Sequence, residues 1–246
     1  MKYMIWLIAR QDLKKVLHGR FYLWALFIIV FGAFYFDNLK STISALMEQG
    51  ASIDQMQAAC RSFLGALTFT LPVIMATFIC SVFSNSSVVV DKNKRLFEPM
   101  LATPLSLAQV WLGKSLAVAL PGLIAGITGT LLIAVILNVV FIIPAVGSFI
   151  LPGAIPLLGA FVIMPVLVSL AVLMITAMEL IMVEPVIPSL IFTVISLGIY
   201  MTALFQISKN WDFSIVYLAI ISVSAVGTFC LGRILSKERV ILSSRG

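Results

Sequence analysis

The sequence predicts an all-α polytopic membrane protein: six transmembrane helices, an amphipathic helix ahead of them, and a short water-exposed helix between spans two and three. Three observations carry that expectation. The chain is 61% hydrophobic and 11% charged with a mean hydropathy of +1.15, whereas soluble domains carry roughly 25% charged residues. Its 246 residues hold about six spans of ~20 residues joined by short connections, and little else. Its cations gather near span ends on alternate connections, which is how membrane proteins set their orientation. That placement argues against nucleic acid as the target of the net charge of +6. Of the three cysteines, Cys80 and Cys230 fall in apolar runs and Cys60 beside one; an odd count without ligand spacing predicts neither a disulfide framework nor a zinc site.

Residues 1–20 are expected to form an interfacial helix preceding a single six-span domain, 21–246. Ile5, Trp6, Ala9, Leu13 and Val16 make one face and Gln11, Lys14, Lys15 and His18 the other, so the helix lies in the interface with its lysines toward headgroups. Arg10 and Asp12 interrupt the apolar stretch too early for a signal peptide. His18, the one histidine, has no potential co-ligand near it and reads as interfacial.

The first span is placed at 21–36, followed by a solvated connection at 37–62 that bears Asp37, Lys40, Glu48, Asp54 and Arg61. Within that connection one helix ends at Gly50 and a second runs into the membrane. Span two, 63–83, tolerates Pro72. Its Thr68, Thr70 and Thr77, and the Ser84–Ser87 run after it, suit hydrogen bonds between helices. Span three, 111–143, is too long for one straight crossing, and Gly122 and Gly126 give it a close-packing pattern.

Gly113-Lys114-Ser115 ends like a phosphate-binding loop. Ala108 stands where that loop needs its first glycine, and no strand feeds it, so Lys114 reads as a snorkelling interfacial cation. A tight turn is expected at 138–154, then span four at 155–177. Glu179 and Glu184 are assigned to a water-facing connection beside Pro185 and Pro188. Span five covers 187–207, a short connection 208–213, span six 214–231, and the tail 232–246 carries Arg233, Lys237, Arg239 and Arg245.

The segment that organises the chain is 91–106, DKNKRLFEPMLATPLS. Asp91, Lys92, Lys94, Arg95 and Glu98 crowd into it between two long apolar runs. Charges at mid-bilayer cost about 2.5–3.5 kcal/mol each, so the segment sits in water. Leu96, Phe97, Met100 and Leu101 fall at i, i+1, i+4 and i+5, one greasy stripe on a short helix that Thr103-Pro104 stops. A charged helix with such a stripe is a docking surface. Six spans put Lys2, Arg10, Lys14, Lys15, Arg20, Lys92, Lys94, Arg95, Lys114, Arg233, Lys237, Arg239 and Arg245 on one side, against Lys40, Arg61 and Lys209 on the other. Both termini and the 91–106 segment are therefore expected in the cytoplasm.

LFEPMLATPLSLAQVWLGKSLA resembles the stretch after the second span in permease subunits of type-2 ABC transporters. Glu98, Leu101, Thr103, Pro104, Ser106, Gly113 and Lys114 match that pattern, while Arg95-Leu96 stand where the family usually carries Gly-Thr and Phe97 where it usually has Leu. The resemblance implies an elbow helix bearing Arg10, Lys14 and Lys15, and a coupling helix through Asp91, Lys92, Lys94, Arg95, Leu96, Phe97, Glu98, Met100, Leu101, Thr103 and Pro104. It also implies a prokaryotic plasma-membrane exporter, with a second permease copy and a separate ATP-binding subunit as partners. ATP and magnesium belong to that subunit, and no cofactor to this chain. The apolar spans suit a lipid-like or amphipathic cargo and plain packing alike. Two other readings are a haem-exporter-type permease of cytochrome c maturation and, behind it, a membrane-embedded enzyme using Glu179 and Glu184. The enzyme lacks convergent partners, with a single histidine and no hydrolase or metalloprotease motif. No internal repeat is evident, which weighs against an inverted-repeat secondary transporter.

Overall fold

A backbone in hydrocarbon must satisfy its own hydrogen bonds, so long apolar runs become helices. The computed structural model describes residues 2–194, 198 and 213–245, with the side chains of 2–4, 15–21, 23, 24, 101, 223, 237, 244 and 245 and those of 213–221 outside the description. Among the described residues the regular structure is entirely helical.

Helix α1, Lys2–Glu48, is one continuous element. A separate helix at 1–20, a span at 21–36 and a solvated connection at 37–62 were expected. No proline interrupts this stretch, and the first effective stop is Gly50, with φ of 68°. Tyr35, Leu39 and Ile43 recur every four residues and are buried, which draws 37–48 into the packed helix.

Helix α2, Ile53–Asn93, starts at the Ser52 capping box, in which the Ser52 hydroxyl accepts from Gln55 N–H and the Gln55 side chain accepts from Ser52 N–H. It continues past residue 83, the expected end of the span, through a π turn at Asn85–Val89. Helix α3, Phe97–Ala102, stops where Thr103 turns extended before Pro104. Helix α4, Leu107–Val146, has a matching capping box of Ser106 and Gln109 and ends at Gly147, with φ of 80°. The turn expected from 138 begins later, because a π turn at Asn138–Ile142 carries the helix on. Asn138 is buried; its Nδ2 donates to Ala134 O, and its Oδ1 accepts from Ile150 N–H at 2.9 Å, folding the turn back.

Helix α5, Ala154–Ile181, contains a third π turn, Gly159–Ile163. Residues 186–194 form α6. The rest of the expected fifth span, bar 198, and the connection at 208–212 lie outside the described residues. Helix α7, Phe213–Ile234, covers the expected sixth span. Helix α8, Lys237–Arg245, lies in the tail and was not anticipated.

Among the described residues four helices are long and apolar enough to cross a membrane: Ala25–Glu48, Ile53–Asn93, Leu107–Val146 and Ala154–Ile181. The most apolar stretch of α2 is 78% buried against 22% for α1, which makes α2 the central element. It packs on α4 through Ala76, Cys80, Ala119, Ala125 and the glycines of α4. A Cβ on Gly126 would stand 2.6 Å from Pro72 O, and one on Gly122 2.9 Å from Ala76 O. These are backbone atoms that cannot swing aside, so the pair sets how closely the two helices meet.

Gly126→Val is therefore expected to destabilise the chain by about 1–3 kcal/mol, the usual cost of overpacking. Gly232→Ala, whose Cβ would meet the Trp111 ring at an ordinary 3.5 Å, leaves stability unchanged. Thermal unfolding of both variants in nanodiscs checks the contrast, and equal midpoints would contradict the packing.

Candidate functional site: a buried polar junction at the base of α3

Lys114 is the eighth residue of α4 and is 1% exposed. Its Nζ lies 2.6 Å from Asp12 Oδ2 of α1 and also pairs with Asp91 Oδ2 of α2. It donates to Ser87 O at 3.1 Å and lies 5.7 Å from the centre of the Phe97 ring. The Ser87 hydroxyl donates to Asp12 Oδ2 at 3.2 Å. Asp12 and Asp91 are as deeply buried as the lysine, at 4% and 6% exposed. The neighbouring glycine explains the approach: a Cβ at Gly113 would fall 2.9 Å from Ile8. Gly113 admits α1, and Lys114 binds its acid.

Lys92, the next residue after Asp91, faces another helix. Its Nζ donates to Glu179 O at 2.9 Å, Leu180 O at 3.1 Å and Met182 O. These are carbonyls at the C-terminus of α5, which have no intrahelical partner and carry the negative end of the helix dipole. Glu179 is fully buried, and its Oε2 accepts from Ser84 Oγ at 2.5 Å. The Ser243 hydroxyl of α8 donates to Leu180 O at 2.9 Å. Phe97, also fully buried, packs with Ile8, Val88, Leu107, Val110, Leu180 and Val240. Higher up, Trp111 Nε1 donates to Leu173 O at 3.0 Å, and the Ser115 and Thr176 hydroxyls share a bond of 2.5 Å, tying α4 to α5.

The π turn makes this arrangement possible. At 3.6 residues per turn, Lys92 would lie about 80° around the helix from Ser84. A π turn absorbs one extra residue, which brings Ser84 and Lys92 onto one stripe facing α5. Asp91 and Ser87 then face Lys114.

The structure divides the expected docking residues into two sets. Lys94, Arg95, Leu96, Thr103 and Pro104 are exposed, and Glu98 and Met100 half-buried. Asp91, Lys92 and Phe97 were expected at the docking surface and are instead buried in the junction. The single turn of α3 rests on the protein, and the ring fills the space under it. The side chain of Leu101 lies outside the description, as do those of Lys15 and His18; Arg10 and Lys14 are exposed. Lys114 does not snorkel, because two acids meet it in the interior. Glu179 does not face water, because α5 continues through it to Ile181, while Glu184 is exposed, so the two acids do not share a site. Asp12 was passed over as a functional residue. The signal for it was an acid on an apolar stripe, with Ile5, Ile8, Ala9 and Asp12 at i, i+3, i+4 and i+7.

Within the junction the hydroxyls, ammonium groups and carbonyls are matched donor to acceptor, while Glu179 Oε1 has no hydrogen-bond partner. Among the described residues no group of three metal-ligating side chains converges. No protein-family model, curated protein or solved structure matches the chain.

Removing one partner of a buried ion pair costs about 3–5 kcal/mol, whereas an exposed pair is worth about 0–1. Lys114→Met takes the ammonium from two buried carboxylates and is expected in the first range. Asp91→Asn keeps the Lys114–Asp12 pair and costs less. Chemical unfolding in detergent micelles ranks the two variants, and a near-silent Lys114→Met would restore the snorkelling reading.

Proposed function

We propose that the chain is the membrane-spanning permease subunit of an ATP-driven type-2 ABC exporter in a prokaryotic plasma membrane. Six spans, both termini in the cytoplasm, a partner ATP-binding subunit and a second permease copy belong to this reading. One observation carries it: the segment that joins α2 to α3 has an exposed tip and a buried root. Lys94, Arg95 and Leu96 face outward, while Asp91, Lys92 and Phe97 anchor the same segment to α1, α4, α5 and α8. A docked partner can push on such a tip, and the push reaches the long helices.

Two further features support it. Arg95 has φ of 54°, the left-handed conformation that glycine adopts freely, and this is the position where the resembling permeases usually carry glycine. Helix α2 is 41 residues long, about 60 Å at 1.5 Å per residue against a hydrocarbon core of ~30 Å. Its charged end therefore has room to stand clear of the hydrocarbon, at the level where a soluble subunit docks. In this mechanism the partner's closure on ATP loads Leu96 and Met100, with Lys94, Arg95 and Glu98 orienting the contact. The junction turns that load into a tilt of α4, α5 and α1.

The triple variant Lys94→Glu, Arg95→Glu, Leu96→Asp is expected to lose co-purification with the ATP-binding subunit and the ATPase activity of the reconstituted pair. Its unfolding midpoint stays near wild type, because all three side chains are exposed. Retention of the partner by this variant, or labelling of Asn93→Cys from the cell exterior, overturns the reading.

A further inference from the structure

Glu179 is the one described residue with a buried side-chain oxygen that has no hydrogen-bond partner: Oε1 is unmatched, while Oε2 accepts from Ser84. A buried carboxylate needs several donors or a counter-charge to offset the loss of water. Lys92 is the charged group near enough to supply one. An ammonium has three protons to donate, and Lys92 directs its bonds to the backbone oxygens of Glu179, Leu180 and Met182. As arranged, an ionised Glu179 would lack compensation, whereas a neutral carboxyl needs little beyond Ser84.

The charged groups on the elements around it do not change this balance. On α2, α4 and α1, Asp91, Lys114 and Asp12 are engaged with one another. On α8, Glu238 and Arg239 are exposed; on α7, Arg233 is exposed over the Phe229 ring; Glu184, ahead of α6, is exposed. Among the described residues that leaves Lys92 as the cation able to answer a charge on Glu179. It already bonds to the backbone oxygen of that same residue.

We propose that Glu179 is a proton-binding site, and that loss of its proton draws Lys92 off the α5 carbonyls and onto the carboxylate. The proton passes to a solvent base. The consequence is mechanical. Lys92 ties the end of α2, and with it α3, to the end of α5; in its second position it ties α2 to the Glu179 side chain and uncaps α5. The grip on the base of α3 then depends on pH. The proposal goes beyond the transport reading and stands whether or not α3 meets an ATPase.

The full chain in nanodiscs tests it by infrared difference spectroscopy between mildly acid and mildly alkaline buffer. A protonated-carboxyl band is expected to disappear on alkalinisation, to be missing in Glu179→Gln, and to shift in frequency in Ser84→Ala, which leaves the carboxyl itself in place. In a Cys230→Ser background, a nitroxide on Asn93→Cys, an exposed position, changes mobility between the two buffers, and Glu179→Gln removes that response. The proposal is overturned by a titrating band that survives Glu179→Gln, by a band unmoved in Ser84→Ala, or by a nitroxide response unchanged in Glu179→Gln. A response to sodium at constant pH also overturns it, by making the ligand a metal cation.

Discussion

Lys114 is the fixed point of the molecule. A lone ammonium buried among helices is not tolerated; it demands counter-charges at bonding distance. Asp12 and Asp91 meet that demand from two other helices. Once the three charges are buried together, α1, α2 and α4 cannot slide or rotate against one another without breaking a pair in a medium that offers no replacement. Apolar packing imposes no such restriction in a membrane, since lipid tails are as apolar as leucine. Small residues bring α2 and α4 close, but the charges fix their register. Phe97 then packs in the space this triad defines, so even the apolar base of α3 depends on it.

The second constraint is one of helical phase. Residues 84 to 92 of α2 serve two neighbours: Ser84 and Lys92 bind α5, and Ser87 and Asp91 bind the α4–α1 pair. A regular α-helix brings only one of these sets into line at a time. The π turn at Asn85–Val89 shifts the phase by about one residue and satisfies both. Similar turns lie on either side of the connection between α4 and α5, at Asn138–Ile142 and Gly159–Ile163. In α4 the turn holds Asn138 where its amide receives the returning chain at Ile150.

Composition and apolar runs made the all-helical membrane architecture legible, because hydrocarbon leaves the backbone few alternatives. Stop signals were legible where they were local, at Gly50 and Thr103-Pro104. Continuity was harder to read. Charged residues in 37–62 suggested a solvated connection, and Asp37, Lys40 and Glu48 are exposed, yet Leu39 and Ile43 extend the buried stripe of α1 between them. The burial of Lys92, Lys114 and Glu179 was not legible residue by residue, since each looks like a boundary charge in its own segment. Only their complementarity across segments up to 102 positions apart, Asp12 to Lys114, reveals the junction. The acid on the apolar stripe of α1 was the available clue, and the 91–106 segment has an exposed side and a second side that is the anchor.

Two neighbouring residues of opposite sign anchor α3, and their geometry decides how any load on it travels. Successive side chains on a helix point about 100° apart, so Asp91 and Lys92 brace the end of α2 against two different neighbours. Asp91 pulls on a side chain deep within α4, while Lys92 grips the carbonyl end of α5. A force on α3 that bent α2 toward either neighbour would stretch the tie to the other. The motion that stretches neither tie is one in which α2, α4 and α5 move together, and Asp12 brings α1 with them. A base of this kind favours a rigid-body tilt over local flexing, which is what a short surface helix needs if it is to move whole spans.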